Sequence, residues 1–191
     1  MKAGRLEAFT DGVVAIVITI AVLELPVPHG ADLHALRAQA PILLAYALSF
    51  VNVGIYWNNH HHMLHATDRI DGSVLWANLF MLFWLSLAPW VIRWLDEADF
   101  AAMPTAAYGL VFGMTAIGYI WTQARIIAVN GRESAVARAV GKDRKGKASL
   151  ILYAVGMVLA FVAPWVADIL YIAIAILWLI PDRRIERELT H

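Results

Sequence analysis

Long apolar segments constrain the fold of this chain more than any other feature. Runs that are long enough, or nearly long enough, to cross about 30 Å of hydrocarbon lie at residues 8–25, 40–64, 73–95, 104–127, 148–164 and 166–181. Of the 191 residues 61% are hydrophobic and only 16% are charged, which excludes an ordinary soluble domain of this size. The sequence therefore predicts an all-α integral membrane protein with six transmembrane helices.

The chain is predicted to be one domain, residues 1–191, built from one repeat unit. The first span carries Asp11 and Glu24 and lacks a small-residue cleavage pattern, so we expect a permanent helix rather than a removable signal peptide. The last two spans are short and are separated by "APWVAD", around Pro164 and Asp168. This spacing predicts a tight helical hairpin.

The lysines and arginines predict the topology. With the N-terminus inside, Arg37 and Arg93 are the only ones of the fifteen Lys and Arg residues that fall on the outer side, together with the acidic stretch at 96–99. The positive-inside rule therefore places both termini in the cytoplasm and makes the chain a multi-pass protein of the cell membrane. We expect the basic loop at 125–147 to contact anionic lipid headgroups rather than nucleic acid.

One stripe of the first span is defined by helical periodicity. At 100° per residue it contains Gly12, Ile16, Thr19, Ile20 and Leu23. Such a stripe is commonly a packing face, and a helical threonine commonly bonds to the carbonyl of its own preceding turn. Periodicity alone therefore leaves the role of the stripe open.

A polar cluster is predicted where the first three spans meet at the cytoplasmic side. An intramembrane carboxylate such as Asp11 normally faces a partner or water. The residues that the topology brings to this level are Arg5, Asp11, Trp57, Asn58, His60, His61, His62 and Asn78. We expect these groups to pair across helices and to fix the first helix at one angle. Asp11→Asn or Arg5→Ala is then expected to impair assembly, because breaking a buried ion pair costs about 3–5 kcal/mol.

The same residues form a known signature. "RLEAFTDG" at 5–12 fits Arg-x-x-x-Phe-Ser/Thr-Asp-Gly, with Arg5, Phe9, Thr10, Asp11 and Gly12 at the defined positions. It resembles the start of the first helix in the endosomal and lysosomal potassium channel family (transmembrane protein one-seven-five) and its bacterial homologues. "YWNNHH" and "DGSVLWANL" resemble the second and third helices of that family. The resemblance covers roughly residues 1–95, and the remainder matches only in its number of spans and its basic loop.

The resemblance implies a homotetramer of six-helix subunits around a pore lined by the first helix. The family has no Thr-Val-Gly-Tyr-Gly filter, and this sequence has none either. It has instead a bottleneck of branched apolar side chains five, nine and twelve residues beyond the motif aspartate, with a threonine eight beyond. Counted from Asp11, the bottleneck residues are Ile16, Ile20 and Leu23, and the threonine is Thr19.

Potassium is the permeant ion that the resemblance implies, and no cofactor is expected. Glu24, just beyond the bottleneck, has two interpretations of equal weight: a carboxylate that concentrates cations at the outer mouth, or an ordinary helix-end carboxylate in water. Relatives with a doubled repeat also conduct protons, and the motif aspartate is implicated there. Whether Asp11 does so in this chain is left open.

Two other functions compete with a channel in explaining the sequence. A small six-helix secondary transporter, with or without proton coupling, is the alternative, although the paired broken helices or inverted repeats usual in transporters are not found. His61 and His65 lie four residues apart on one helix face, a spacing that suits a metal ligand pair. Membrane di-iron enzymes need several histidine clusters and this sequence has one, so we expect neither an enzyme nor a metal.

Gly109 and Gly113 are interpreted as a close contact between helices.

Overall fold

The computed structural model describes residues 3–141 and 143–179, apart from the side chains of Ala139 and Arg144. In this part of the chain every regular element is an α-helix. The helices, in chain order, are α1 Gly4–Leu23, α2 Leu33–Ala38, α3 Ala40–His65, α4 Gly72–Ser86, α5 Ala88–Glu97, α6 Ala102–Asn130, α7 Ala135–Val140, α8 Arg144–Leu159 and α9 Pro164–Leu179.

Four segments in the described residues are long and apolar enough to cross a membrane. They are α1, α3, the combined segment Gly72–Glu97 and α6. Helix α9 is apolar but shorter, and α8 and α9 have 16 residues each, or about 24 Å of helix. The prediction of an all-helical membrane protein is confirmed, and the crossing of α8 and α9 stays a prediction.

The third predicted span is interrupted, whereas the sequence analysis treated 73–95 as one helix. Helix α4 ends at Ser86, whose hydroxyl donates to the Phe83 carbonyl over 2.7 Å, and α5 begins at Ala88. Pro89, in the first turn of α5, has no N–H to donate to the Leu85 carbonyl one turn earlier. The missing hydrogen bond explains why one apolar run forms two helices.

The final two helices form the predicted hairpin, but its turn lies earlier in the chain. The turn occupies 160–163, and Pro164 opens α9 because its fixed φ and missing N–H suit a first helical position. Asp168 therefore lies inside α9 rather than in the turn.

Helix α6 lies at the centre of the fold and packs against α4, α8 and α9. A Cβ added to Gly118 would lie 2.6 Å from the Cα of Met81 on α4, and one added to Gly109 would overlap Tyr171 on α9. A Cβ on Gly113 would lie 3.3 Å from Tyr153 on α8. The contact predicted for Gly109 and Gly113 thus lies within the subunit.

Candidate functional site

Helix α1 has one face inside the subunit and one outside. Leu6, Thr10, Val14, Val17 and Ala21 are buried where α1 packs against α3, α4 and α5. The opposite face is exposed and contains the whole predicted stripe of Gly12, Ile16, Thr19, Ile20 and Leu23. The stripe is therefore not a packing face within the described part of the subunit.

Large apolar side chains dominate the exposed face. Ile16 is 59% exposed, Ile20 43% and Leu23 76%. Between them, the Thr19 hydroxyl donates to the carbonyl of Ala15 over 2.7 Å. This bond uses the only hydroxyl proton and leaves the oxygen lone pairs of Thr19 as acceptors on the exposed face.

Asp11 is held by a tryptophan of the second long helix. The indole Nε1 of Trp57 donates to Asp11 Oδ1 over 2.8 Å, and Asp11 is half-buried. Arg5, which is also predicted for this cluster, is exposed and forms no ion pair with Asp11 among the described residues. Residues 5 and 11 are six apart, which turns their side chains to different sides of α1.

A second connection lies deeper between α1, α3 and α4. The Asn78 amide donates to the Thr10 hydroxyl over 3.0 Å, and His60 Nε2 lies 2.7 Å from Asn78 Oδ1. With the Asn78 carbonyl as the acceptor, the proton of His60 is assigned to Nε2. All three side chains are essentially inaccessible to solvent. A buried polar chain with each partner bonded favours a single arrangement of the three helices.

The third connection includes a residue that the sequence analysis did not assign. Glu7 on α1 lies 2.8 Å from His61 Nδ1 and 3.7 Å from His65 Nε2 on α3. The His61 ring is also stacked on Trp57, with centroids 6.0 Å apart. Glu7 lies within "RLEAFTDG", one turn before Asp11 on the same side of the helix, and this spacing was the available signal.

The remaining predicted members do not join these hydrogen bonds. Phe9, Gly12 and Asn58 are exposed, and among the described residues they make no bond to the cluster. His62 is half-buried and makes an edge contact with His61, at a centroid distance of 5.7 Å. These four residues, although predicted for the cluster, therefore lie beside its hydrogen bonds and take no part in them.

Glu24 is paired at the opposite end of α1. Arg93 on α5 forms an ion pair with Glu24 and a second one with Glu97, at 2.8 Å. The three formal charges leave one net negative charge. Arg93, which the sequence analysis noted only as an outer arginine, therefore anchors the end of α1 to α5 and offsets much of the field of Glu24.

Known proteins match this chain along its length. The profile of the family described as endosomal/lysosomal potassium channel TMEM175 matches residues 5–89. A potassium channel from Chryseobacterium sp. (strain P1-3) is 47% identical over 189 residues, covering 99% of this chain and 98% of that protein. The endosomal/lysosomal proton channel TMEM175 of Mus musculus is 28% identical over 179 residues, covering 83% of this chain and 36% of that protein.

A solved structure has the same fold. The crystal structure of a lysosomal potassium-selective channel TMEM175 homolog from Chamaesiphon minutus superposes with a TM-score of 0.81 at 26% identity, covering 93% of this chain and 96% of that one. The fold and these relatives define a helical membrane protein of the ion-channel class, not an enzyme. The chain belongs to the TMEM175 family, and the resemblance found in "RLEAFTDG" is confirmed.

Proposed function

We propose that this chain is a potassium-selective channel of the cell membrane that works as a homotetramer with α1 of each subunit lining the pore. The bacterial relatives are named potassium channels, which supports the choice of ion. The observation that carries the proposal in this chain is the exposed stripe on α1. Within the part of the subunit that the structure describes, no other helix buries that face.

An exposed apolar face in a membrane contacts either lipid or another protein surface. The stripe on α1 contains the hydroxyl of Thr19, and Arg5 lies in line with it at the start of the helix. Arginine is costly in contact with hydrocarbon, and polar groups in membrane helices normally face protein or water. The composition of the face therefore favours a central axis over surrounding lipid.

Four copies of α1 around that axis would stack Ile16, Ile20 and Leu23 as rings. Such a constriction gates by excluding water when it is narrow and by admitting it when it widens. A bare ion in an apolar medium would cost tens of kcal/mol, so the permeant ion keeps part of its hydration shell. Potassium holds its water less tightly than sodium and is favoured wherever some of that water must be shed.

Thr19 gives the constriction its polar ring. Because its proton is donated to Ala15, its oxygen presents lone pairs towards the proposed axis. Those lone pairs can replace some of the water that the ion sheds between the Ile16 and Ile20 rings.

Beyond Leu23, Glu24 acts at the outer mouth only together with Arg93 and Glu97. The net charge of this group attracts cations more weakly than a free carboxylate ring would.

In this proposal, the polar contacts at the start of α1 hold that helix in position and do not conduct ions. Contacts of Glu7 with His61, of Asp11 with Trp57 and of Thr10 with Asn78 attach the first two turns of α1 to α3 and α4. These contacts place the start of α1, the end of α3 and the start of α4 at one end of the bundle. Six crossings, with α8 and α9 as the last two, would put both termini at that same cytoplasmic side.

Flux into sealed liposomes tests the proposal. Purified protein is reconstituted, and potassium and sodium gradients are compared for the wild type and for Leu23→Ala, with the oligomeric state measured on the same samples. We expect potassium to be favoured in the wild type, and we expect more leak with less selectivity in Leu23→Ala. The widened ring would let both ions pass with their hydration shells largely intact.

Leu44→Ala is the matched control. Leu44 on α3 is 71% exposed, close to the 76% of Leu23, so both variants remove similar exposed apolar surface. Identical flux changes in the two variants would remove Leu23 from the pore. Substrate-dependent uptake without uncoupled cation flux would instead identify a secondary transporter.

A further inference from the structure

Three metal-ligand side chains converge at the end of the bundle where α1 begins. Glu7 comes from α1, and His61 and His65 come from α3. One ligand atom from each residue lies within 4.8 Å of the other two. We propose that Glu7, His61 and His65 bind a divalent transition-metal ion of the zinc class, one ion per subunit.

The spacing of the donor atoms fits such an ion. Zinc bonds of about 2.0–2.2 Å in tetrahedral geometry place neighbouring donor atoms about 3.3–3.6 Å apart. Glu7 Oε1 lies 2.8 Å from His61 Nδ1 and 3.7 Å from His65 Nε2, on either side of that value. Small rotations of the side chains bring both distances into the range.

The two histidines are arranged on α3 in the way that favours joint binding. Residues four apart lie on one helix face, and the rings of His61 and His65 have centroids 4.3 Å apart. A pair of imidazoles with a carboxylate is a common zinc ligand set, with water in the fourth position. Calcium and magnesium prefer oxygen ligands, so the nitrogen donors select against them.

An ion from solution can reach the site. The side chains of Glu7, His61 and His65 are 22%, 35% and 55% exposed, so the ion enters without unfolding the bundle. The sequence alone predicts no metal here, because it contains a single histidine cluster. The structure supplies the third ligand from a different helix.

Metal binding would act on α1. The ion would bridge α1 and α3 one turn before the contact between Asp11 and Trp57, and the ring of His61 is stacked on Trp57 itself. An ion bound there stabilises the folded arrangement of the two helices by mass action. This inference concerns binding and does not depend on which cation the channel conducts.

The test uses Co²⁺ as a spectroscopic probe for the site. The full chain is purified without a histidine tag, stripped of metal and titrated with Co²⁺, and the visible d–d absorption is recorded before Zn²⁺ is added in competition. We expect one Co²⁺ per subunit, an absorption typical of four or five ligands, and displacement by one equivalent of Zn²⁺. His65→Ala is expected to weaken binding at least about tenfold.

His62→Ala is the matched control, because His62 is adjacent to His61 but outside the three-residue group. It should bind Co²⁺ as the wild type does. Glu7→Gln provides a second variant that keeps the side-chain volume while removing the charge. All variants are compared by size-exclusion elution, and at one Zn²⁺ concentration the melting temperature should rise more for the wild type than for His65→Ala.

Absence of a Co²⁺ spectrum in the folded wild type would overturn the proposal. So would wild-type binding by both His65→Ala and Glu7→Gln, or an equal loss in His62→Ala. Since protons compete for imidazole and carboxylate ligands, the affinity should also fall as the solution is acidified.

Discussion

Replacing Thr10 by valine should loosen α1 from α4 by a measurable amount. Thr10 and Asn78 are both 0% exposed, and the Asn78 amide donates to the Thr10 hydroxyl over 3.0 Å. Valine keeps the branched shape and leaves that amide without its acceptor. Interhelical hydrogen bonds in membrane proteins contribute about 0.6 kcal/mol and at most about 1.7 kcal/mol. A stranded buried donor costs about 1–3 kcal/mol, so we expect Thr10→Val to lower the free energy of unfolding by about 1–2 kcal/mol.

A double-mutant cycle isolates the bond itself. Thr10→Val, Asn78→Ala and the double variant are unfolded reversibly in mixed micelles at one protein concentration, with tryptophan fluorescence as the signal. We expect a coupling energy of about 0.6–1.7 kcal/mol. In a control cycle, Ser49→Ala is combined with Thr10→Val. Ser49 is buried beside Tyr108 in another part of the bundle, so the two effects should add within about 0.5 kcal/mol.

A coupling energy between Thr10 and Asn78 no larger than that of the control cycle would refute the reasoning. The bond would then contribute nothing beyond the separate packing of the two side chains.

Three further predictions follow from the contacts. Gly118→Ala should lower the free energy of unfolding by about 1–3 kcal/mol, because the added Cβ would lie 2.6 Å from the backbone of α4. Gly54→Ala is the control: a Cβ there has nothing within 4 Å, so the substitution should be neutral or stabilising. Equal melting temperatures of the two variants would contradict the prediction. Trp57→Phe removes the donor to Asp11 and should reduce the yield of assembled oligomer on size exclusion, while a normal yield would show that this bond is dispensable. The Ser73 hydroxyl donates a hydrogen bond to Asp71 and lowers the pKa of that carboxyl below its ordinary value of 3.8. The stability that the carboxylate contributes is therefore present above pH 3.8 and is lost as the pH falls through the folded pKa. The melting temperature of Asp71→Asn should lie below that of the wild type at neutral pH and approach it in acid.

The sequence by itself determined the class of protein and one face of its first helix. Hydrophobic length and composition require a helical membrane protein, because only internally hydrogen-bonded backbones are stable in lipid. The stripe from Gly12 to Leu23 followed from periodicity, and "RLEAFTDG" identified the family. These features are local, so they can be recognised without knowing which helices are neighbours.

Only the tertiary structure decided which side chains meet. Helical periodicity predicts the face that a residue occupies, but not the register or rotation of one helix against another. His60 and His61 are adjacent in sequence and about 100° apart on α3, so one contacts Asn78 and the other contacts Glu7. The indole of Trp57 reaches Asp11 because of the way α3 is rotated against α1, which the sequence does not specify. Contacts between distant segments depend on how the whole bundle packs, and for that reason the ligand group of Glu7, His61 and His65 emerged only from the fold.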